Sequence, residues 1–490
     1  MTRSPLNVLL EMRPALAGHA GIPQENRLLF RGLALLDGVR VTGLLQNSER
    51  VLARGLRLGE TLATDEQLNR LARVIITLEQ RLWDSRLQAV AHTVMMLARH
   101  LCGGAQQLTC FEARHFRDFT WRRLFGRTLR PEDFDVLTRK SFRVARVPWV
   151  AMHICGLLTR KVGYSMYPRL NTSEFDVMIA ETPYPASVAK KTRLIVRYHD
   201  AIPLLMPHTI SDKRFHQASH YRALRKNVAS GARFVCVSEA TRNDLLSIFP
   251  QLESRSITIH NMVSHDYFDE PSSVDRVREV IRTRLNFNVQ RATDPSARSL
   301  WIDAKGRKQV PEYLLMVSTI EPRKNHLALL SAWERLRAEF FPNLKLLVVG
   351  ALGWEHAHII GKFRPWIGRD AFMLEDVPSA ELRLLYKHAR ATICPSFAEG
   401  FDLSGVEAMA SGGAVIASDI STHREIYLDA AQYFNPYSIE DLVRALREVI
   451  EPANSARRGE LVTTGASVAR RYSPEVILPK WRSFLDSEAA

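Results

Sequence analysis

The sequence predicts an α/β chain that buries two hydrophobic cores. Short apolar runs bounded by glycine or proline alternate with stretches whose apolar residues recur at helical spacing, which is typical of alternating strands and helices. The chain has 490 residues, of which 46% are hydrophobic, and this is too long for one ordinary domain. It contains no run of about eighteen apolar residues, so we expect no membrane span.

The first elements follow a strand–loop–helix–strand order. Asn7 to Met12 is predicted as a strand, and a loop with Gly18 and Gly21 follows it. Apolar spacing predicts a helix over Glu25 to Leu36, and Val39 to Leu45 returns as a strand. A glycine loop between a strand and a helix can admit a phosphate closely, although it can equally be a plain turn.

Between about residues 50 and 169, leucine and arginine dominate and helical periodicity predicts a helical insertion. Within residues 114–146, ten basic residues face four acidic ones. Aromatic rings are interleaved with them: Phe116, Phe119, Trp121, Phe125, Phe134 and Phe142. Cations mixed with rings suit an anionic membrane surface. The same mixture fits helices that pack through their aromatic side chains, and both interpretations stay open.

The net charge of +15 and the pI near 9.8 call for an acidic partner, which could be nucleic acid, an anionic membrane surface or a diphosphate substrate. The five cysteines are odd in number and scattered, which favours a reducing cytoplasm over a disulfide framework or a metal site. The first residues lack the long apolar core of a signal peptide. We therefore expect a cytoplasmic protein.

Strands resume at Phe175. Arg193 to Tyr198 is predicted as a strand that ends in His199 and Asp200, and Ser238 is a fitting N-cap for a later helix. A histidine at a strand's carboxyl end is a weak functional signal, because a lone histidine is more often structural.

The second half begins with a strand at Tyr313 to Val317, a loop, and a helix over His326 to Phe340. Arg323 and Lys324 lie at the amino end of that helix, where the helix dipole repels cations. Two adjacent cations in this place make sense if an anion lies between them and the helix. The alternative is that either side chain points into solvent.

The stretch from Ala391 to Ser418 contains a strand, a polar loop, a short helix and a second strand. Glu399 lies in the loop and Glu407 in the helix. A carboxylate accepts two hydrogen bonds from vicinal hydroxyls, so this pair suits a ligand with two diols, such as a nucleotide sugar. The plainer alternative is that Glu407 only complements the helix dipole and that Glu399 is solvated.

Three phrases resemble glycosyltransferase family 4: YHDAIPLLMP, STIEPRKN and the Ala391 to Ser418 stretch. The resemblance covers Phe175 to Phe484 well and Leu6 to Gln46 weakly, and it is closest to the bacterial branch that transfers mannose and related sugars into surface polysaccharides. Three positions depart from the family pattern: Asp402 stands where glycine is common, and Ser404 and Ala414 stand where proline is common. Asp402 adds a negative charge that is unfavourable beside a diphosphate unless it points away or binds a sugar hydroxyl.

The resemblance implies the GT-B arrangement, in which two Rossmann-like domains face a cleft, and a retaining, metal-independent transfer in which the leaving phosphate takes the acceptor's proton. The implied catalytic residues are His199, Glu399, Arg323 and Lys324. The implied substrate-binding residues are Gly21, Asp200, Arg323, Lys324, Phe401, Asp402, Leu403 and Glu407. In the family the first glutamate faces the donor sugar, the second holds the ribose, and the arginine and lysine hold the diphosphate.

We therefore expect a glycosyltransferase that moves a sugar, with mannose from GDP-mannose as the best guess, to a saccharide or lipid-linked oligosaccharide acceptor. No cofactor or nucleic acid is expected; an anionic membrane surface could bind through 114–146. The expected domains are 1–285 with the insertion at about 50–169, a linker at 286–311, a donor-binding domain at 312–470, and a helix at 471–490 that returns to the first domain. The alternatives are a basic binding protein with a degenerate site and a phosphorylase of similar fold, for which no pyridoxal-phosphate lysine is evident.

Overall fold

A computed structural model of the protein describes residues 4–16, 18, 21–57, 59–60, 62–80, 91, 94–96, 98, 103–159, 165–210, 213–286, 289 and 312–489. Almost all of the predicted linker, 286–311, lies outside these described residues, and so do parts of the predicted insertion. No helix in the described part of the chain is long and apolar enough to cross a membrane.

The first half of the chain builds an eight-stranded sheet. Its strands and a short pair beside it are β1 (Leu6–Glu11), β2 (Val39–Leu45), β3 (Gln106–Gln107), β4 (Thr109–Glu112), β5 (Ser141–Val144), β6 (Leu170–Asn171), β7 (Val177–Ala180), β8 (Arg193–Tyr198), β9 (Arg233–Cys236) and β10 (Ser256–Thr258). The order in the large sheet is β10-β9-β8-β7-β1-β2-β5-β4, and β3 pairs with β6. Neighbouring strands of the large sheet run parallel except β4, which is antiparallel to β5.

Helices cover both faces of this sheet, because its central strands are apolar on both sides and must be buried. They are α1 (Ile22–Leu35), α2 (Thr64–Glu79), α3 (Arg117–Thr120), α4 (Phe134–Thr138), α5 (Trp149–Thr159), α6 (Ile202–Leu205), α7 (Lys213–Ala229) and α8 (Glu239–Ile248). The next helix, α9 (Asp275–Thr283), packs in the core of the second half.

The segment predicted as a helical insertion is only partly helical. It contains α2 to α5, but it also contributes β4 and β5, which extend the sheet beyond β2. Along β5 the side chains are exposed, buried, half-buried and buried in turn, as on a strand with one covered face. Arg143 interrupts the apolar run, so the strand signal is lost within arginine-rich sequence.

The aromatic rings of 114–146 face the first core. Phe125 and Phe142 are fully buried, and their ring centres lie 5.3 and 5.8 Å from that of Phe30. Phe116, Phe119 and Trp121 pack against the same core, which leaves the cations and not these rings at the surface. For these rings, the interpretation in which the segment packs through its aromatic side chains is correct, and the rings are not available to insert into a membrane.

The second half builds a six-stranded, fully parallel sheet. Its strands are β11 (Tyr313–Val317), β12 (Lys345–Val349), β13 (Ala371–Leu374), β14 (Ala391–Cys394), β15 (Val415–Ser418) and β16 (Ala431–Phe434), in the order β13-β12-β11-β14-β15-β16. The helices are α10 (His326–Glu339), α11 (His356–Phe363), α12 (Ser379–His388), α13 (Leu403–Ala410), α14 (Ser421–Tyr427), α15 (Ile439–Ile450), α16 (Ser455–Arg470) and α17 (Pro474–Ala489).

Two helices cross between the halves. Val277, Val280 and Ile281 of α9 pack in the second core, and Asn286 N–H donates to the carbonyl of Met373 at 2.9 Å, so the chain joins the second domain before the predicted boundary at 285. In the other direction, α17 packs in the first core. Its Trp481 is fully buried, with the Arg197 guanidinium 5.4 Å from the ring centre.

The strand order fixes where a ligand can bind. β1 lies between β2 and β7, and β11 lies between β12 and β14. In a parallel sheet the connections leave such a strand in opposite directions, which opens a crevice at the carboxyl edge. Each half of the molecule therefore offers one crevice, beside the loops after β1 and β7 in the first sheet and after β11 and β14 in the second.

Candidate active site

The loop after β11 is held by one left-handed residue. Pro322–Lys324 forms a 3-10 turn, and Asn325 follows it with φ of 59°, a conformation that asparagine tolerates better than most residues. The Asn325 side-chain amide donates to the carbonyls of Pro395 at 3.1 Å and Pro436 at 3.0 Å. This fixes the loop against the segment after β14 and directs the two preceding cations toward it.

Arg323 and Lys324 converge on Glu399. The Arg323 guanidinium lies 2.8 Å from one carboxylate oxygen and the Lys324 ammonium 2.5 Å from the other. Burial alone would raise the pKa of Glu399, but the charges of Arg323 and Lys324 outweigh it and hold that pKa below its usual value. The Glu399 carboxylate is therefore an anion beside the two cations, and a bound anion between them and the helix stays a prediction.

Glu407 is also buried, with 4% of its surface exposed. Its carboxylate accepts hydrogen bonds from the Gln24 amide at 2.7 Å and the Tyr386 hydroxyl at 3.1 Å. Burial raises the pKa of Glu407 to about 7, although Gln24, Tyr386 and Tyr267 oppose that rise by donating hydrogen bonds. Gln24 belongs to α1 in the first domain, so Glu407 lies where the two domains meet.

Asp402 points into the second domain. It has φ of 62° and caps α13 by accepting from the Ser404 amide at 3.3 Å and from the Ser404 hydroxyl at 2.6 Å. Its other oxygen lies 3.1 Å from Nε2 of His423. Burial opposes ionisation, but these hydrogen bonds and the charge of Lys324 hold the pKa of Asp402 well below its usual range. Its carboxylate is thus engaged by Ser404 and His423.

Phe401 and Leu403 are buried beside this cap and pack in the second core. The Phe401 ring stands edge-on to Tyr472 at 5.2 Å between centres. Their side chains therefore support the loop after β14 from the core side. The structure does not bring the side chains of these two predicted substrate contacts into the crevice.

In the first domain, His199 follows β8 and its Nε2 lies 3.0 Å from a carboxylate oxygen of Glu181. Burial lowers the pKa of His199 to about 4, so the ring is neutral at pH 7. Asp200 accepts a hydrogen bond from the Ile202 amide at 3.0 Å and so caps α6. Its charge also acts on Arg323 of the other domain.

Gly21 precedes α1 with φ of 70°, which favours glycine, and a Cβ at this position would have no atom within 4 Å. The start of α1 therefore keeps open space beside its unpaired N–H groups, as a phosphate contact requires.

The carboxyl edges of the two sheets meet at Gly400. A Cβ on Gly400 would lie 1.8 Å from the carbonyl oxygen of His199, so only glycine allows this approach. The Ser238 hydroxyl donates to the Gly400 carbonyl at 2.7 Å, and Glu425 accepts from the amides of Glu239 and Ala240 at 2.7 and 2.8 Å. These contacts place His199 of the first domain beside the Glu399 loop of the second.

Sequence reasoning missed a group of buried charges beneath His199. Glu25, Glu181 and Arg197 are each fully buried, and the Arg197 guanidinium lies 3.0 Å from Glu25. Side-chain oxygens of Glu25 and Glu181 and a ring nitrogen of His199 all lie within 4.8 Å of one another. That spacing would admit a cation, but Arg197 already supplies positive charge there. An arginine inside the apolar run of β8 is the sequence signal that could have revealed this group.

Parts of the chain are similar in sequence to known proteins. Residues 298–460 match the family model described as "Glycosyl transferases group 1". Over 136 residues, 27% of this chain, the sequence is 35% identical to the serotype-specific mannosyltransferase WbdA of Escherichia coli, but this segment spans only 17% of WbdA. It is 25% identical over 288 residues to the O-antigen chain mannosyltransferase B of Escherichia coli, which covers 58% of this chain and 67% of that protein.

The fold has a solved counterpart over its whole length. Sucrose-phosphate synthase from Thermosynechococcus elongatus superposes with a TM-score of 0.57 over 98% of both chains, at 14% sequence identity. The predicted α/β class and the pair of facing Rossmann-like domains are thereby confirmed.

Proposed function

We propose that this chain, whose residues 298–460 match the group 1 glycosyl transferases, is a retaining glycosyltransferase. It would move a sugar from a nucleotide-sugar donor to a saccharide or lipid-linked oligosaccharide acceptor in bacterial surface polysaccharide synthesis. The observation that carries the proposal is the convergence of Arg323, Lys324 and Glu399 at the second crevice, directly beside His199 of the first.

The donor would lie mainly against the second domain. Arg323 and Lys324 would hold the diphosphate, assisted by the start of α1 at Gly21, because positive charge aimed at the departing phosphate stabilises the transition state. Glu407 would accept hydrogen bonds from the ribose diol. Mannose from GDP-mannose is the first donor to test, since the relatives above are named mannosyltransferases.

Transfer would occur on one face of the sugar. The bond between the anomeric carbon and the phosphate oxygen breaks, a bond from that carbon to the acceptor oxygen forms, and the leaving phosphate takes the acceptor's proton. The neutral His199 ring and the Glu399 carboxylate would orient the sugar, and Glu399 would also stabilise the positive charge that develops at the anomeric carbon.

Asp402 would act through the fold of the loop. Asp402 and Ser404, which both depart from the family pattern, are joined by a hydrogen bond from the Ser404 hydroxyl to the Asp402 carboxylate. Nε2 of His423 lies 3.1 Å from the other Asp402 oxygen. The departure thus replaces one way of starting α13 by another and leaves the diphosphate position free of extra negative charge.

A basic binding protein with a degenerate site is the competing class, and the intact, convergent charges count against it. A thermal-shift screen against GDP-, UDP- and dTDP-sugars separates the two. We expect one nucleotide series to raise the melting temperature, and transfer of labelled sugar from that donor to a lipid-linked acceptor to follow. Lack of stabilisation by every nucleotide sugar would contradict the proposal.

The proposal includes metal independence, because side chains supply the positive charge. We expect transfer to survive excess EDTA. Complete loss of activity in the chelator, restored by magnesium or manganese, would show that the diphosphate needs a metal ion.

A further inference from the structure

We propose that Glu25 and Glu181 share one proton beneath His199, and that this carboxyl pair positions the His199 ring for transfer. The inference rests on the proposed function, in which His199 orients the donor sugar. Glu25 and Glu181 would be positioning residues, since they act on the reaction through the ring that they hold.

The two carboxyl groups come from different elements and meet at the switch point of the first sheet. Glu25 lies in the first turn of α1, Glu181 follows β7, and both are fully buried. Their oxygens lie within 4.8 Å of each other and of a His199 ring nitrogen. Two ionised carboxylates this close in a dry environment repel strongly, which favours one shared proton.

The hydrogen-bond donors around the pair are too few for two ionised carboxylates. Arg197 donates to one oxygen of Glu25, and the Asn26 amide and Nε2 of His199 each lie 3.0 Å from an oxygen of Glu181. The second oxygen of Glu25 is buried and has no hydrogen-bond partner among the described residues. A bare carboxylate oxygen is costly to bury, and a proton on the pair removes that cost.

The charges around the pair are balanced when the pair holds one proton. Besides the pair itself, the charged and titratable groups that face this cluster are Glu11 and Arg13 at the end of β1, Arg197 and His199 at the end of β8, and Asp200. Asp200 also acts on Arg323 across the crevice. With Asp200 set against Arg323, the three carboxylates of Glu11, Glu25 and Glu181 meet the two guanidinium groups of Arg13 and Arg197, and the His199 ring is neutral. One proton balances the single excess negative charge, whereas a divalent cation would leave the cluster with a net positive charge.

The pair sets which atom of His199 is offered to a ligand. Because Nε2 faces Glu181, Nδ1 lies on the opposite edge of the ring and has no hydrogen-bond partner in the described part of the chain. Glu181 accepts from Nε2–H through its unprotonated oxygen, and the shared proton, by halving the negative charge of the pair, favours the neutral ring. The neutral Nδ1 is then an acceptor for a sugar hydroxyl.

Thermal stability tests the shared proton without any activity measurement. Burial raises the pKa of both Glu25 and Glu181 to about 7 from a usual 4.5. A carboxyl group with a raised folded-state pKa stabilises the fold below its unfolded value and loses that contribution as the pH rises through the folded value. We therefore expect the wild-type melting temperature to fall by roughly 5 °C between pH 5 and 8 because of this pair.

Glu25→Gln should flatten that dependence, because its amide can accept from Arg197 and donate to Glu181 at every pH. Glu488→Gln is the matched control. Glu488 pairs with Arg193 and Arg233 at the opposite end of β8 and β9, so its loss should lower the melting temperature without changing the slope. A slope in Glu25→Gln equal to that of the wild type would overturn the shared proton, as would a stoichiometric metal ion bound by the wild type and absent from Glu25→Gln.

Kinetics tests the positioning role. The wild-type kcat should fall on the alkaline side as the pair loses its proton, and Glu25→Gln, which has no shared proton to lose, should lack that limb. Glu181→Gln should lower kcat roughly tenfold or more at every pH with little change in nucleotide affinity. A merely structural role would change the melting temperature and leave the pH profile of kcat in place. If no variant transfers sugar, the proposed function fails, while the stability measurements still decide the proton.

Discussion

Arg323 and Lys324 each have two tasks in the proposed site, since they neutralise the buried Glu399 and would bind the donor diphosphate. Arg323→Ala and Lys324→Ala should each weaken nucleotide diphosphate binding by roughly 1.5–3 kcal/mol, the usual worth of a charged hydrogen bond. Calorimetry measures this directly. Arg323 also donates to Glu321 at 2.8 Å and to the carbonyl of Ala398 at 2.5 Å, so its removal should lower the melting temperature as well.

Lys345→Ala is a suitable control for these variants. Lys345 begins β12 at the opposite edge of the second sheet and pairs with Asp370, so it removes a cation without touching the crevice. Unchanged nucleotide affinity in both crevice variants would mean that the two cations serve Glu399 alone.

The two glutamates should differ in kinetics. Ribose contacts hold equally in the ground and transition states, so Glu407→Gln should mainly raise the donor KM. Glu399→Gln should also lower kcat, because a carboxylate beside the reacting carbon stabilises charge that exists only in the transition state. If steady-state kinetics gives the same pattern for both variants, the division of roles is wrong.

Glu407 should also make donor binding depend on pH. Because its pKa is raised to about 7, the carboxylate gains its charge as the pH rises through neutrality, and only the charged form accepts strongly from both ribose hydroxyls. The donor KM should therefore fall between pH 6 and 8. In Glu407→Gln it should stay flat, and a KM that falls equally in both proteins would exclude Glu407 as the titrating group.

At the scale of elements, the loop after β14 and the loop after β8 touch through Gly400. Gly400→Ala places a methyl group 1.8 Å from the His199 carbonyl oxygen and must push the two loops apart. We expect kcat to fall on the order of 100-fold, as for a catalytic group displaced by about 1 Å, while nucleotide binding to the second domain persists.

Gly361→Ala is the control, because a Cβ at this helical position meets no atom within 4 Å. Equal kcat in both alanine variants would show that the closed arrangement of the loops is not required for transfer.

Local patterns were sufficient to predict the strands and helices that frame the second crevice. The strand before Arg323 and the strand–loop–helix around Glu399 are apolar runs with clear ends, and a charge at a helix start has a local physical meaning. The Gln24 to Glu407 hydrogen bond and the Glu25 to Glu181 pair join residues far apart in sequence. The periodicity of apolar residues in the sequence cannot predict such pairs, because they depend on which strands are neighbours in the sheet.

The first domain was predicted less well for a related reason. β4 lies at the edge of the sheet and β5 beside it. Each has only four residues, and their less buried positions include Glu112 and Arg143, so their sequences resemble the arginine-rich helices around them. The rings of Phe125 and Phe142 pack inward, and burial of this kind follows from the sheet that they cover and not from their neighbours in sequence. Asp402 shows the same limit, since its partner His423 follows the next strand.

At the scale of the whole molecule, the exposed cations of 114–146 define a surface that could face an anionic membrane. Arg114, Arg122 and Arg139 expose 67%, 72% and 71% of their side chains, whereas Arg117 donates to Thr138 at 2.9 Å and stacks on Phe134. Each cation near such a surface contributes roughly 1 kcal/mol, within about a Debye length. Because the rings are packed, binding should depend on charge alone and fall steeply with salt.

Vesicle sedimentation measures this binding. Changing Arg114, Arg122, Arg127 and Arg139 to glutamine should release the protein from vesicles that contain anionic lipid and leave the melting temperature nearly unchanged. The matched control changes the same number of exposed arginines on the second domain: Arg335, Arg424, Arg444 and Arg457. Equal sedimentation of both variants, or binding to neutral vesicles, would show that the cations of 114–146 do not bind an anionic membrane.

The path of α17 has a consequence for biosynthesis. Trp481 and Leu485 complete the first core, yet the ribosome makes them only after the entire second domain. During translation the first sheet therefore keeps an open apolar groove beside α1. The second domain, whose core is nearly continuous in sequence, can fold in the meantime. The nascent chain is thus expected to depend on protection of that groove until α17 emerges, and truncation before Pro474 should leave the groove permanently exposed to aggregation.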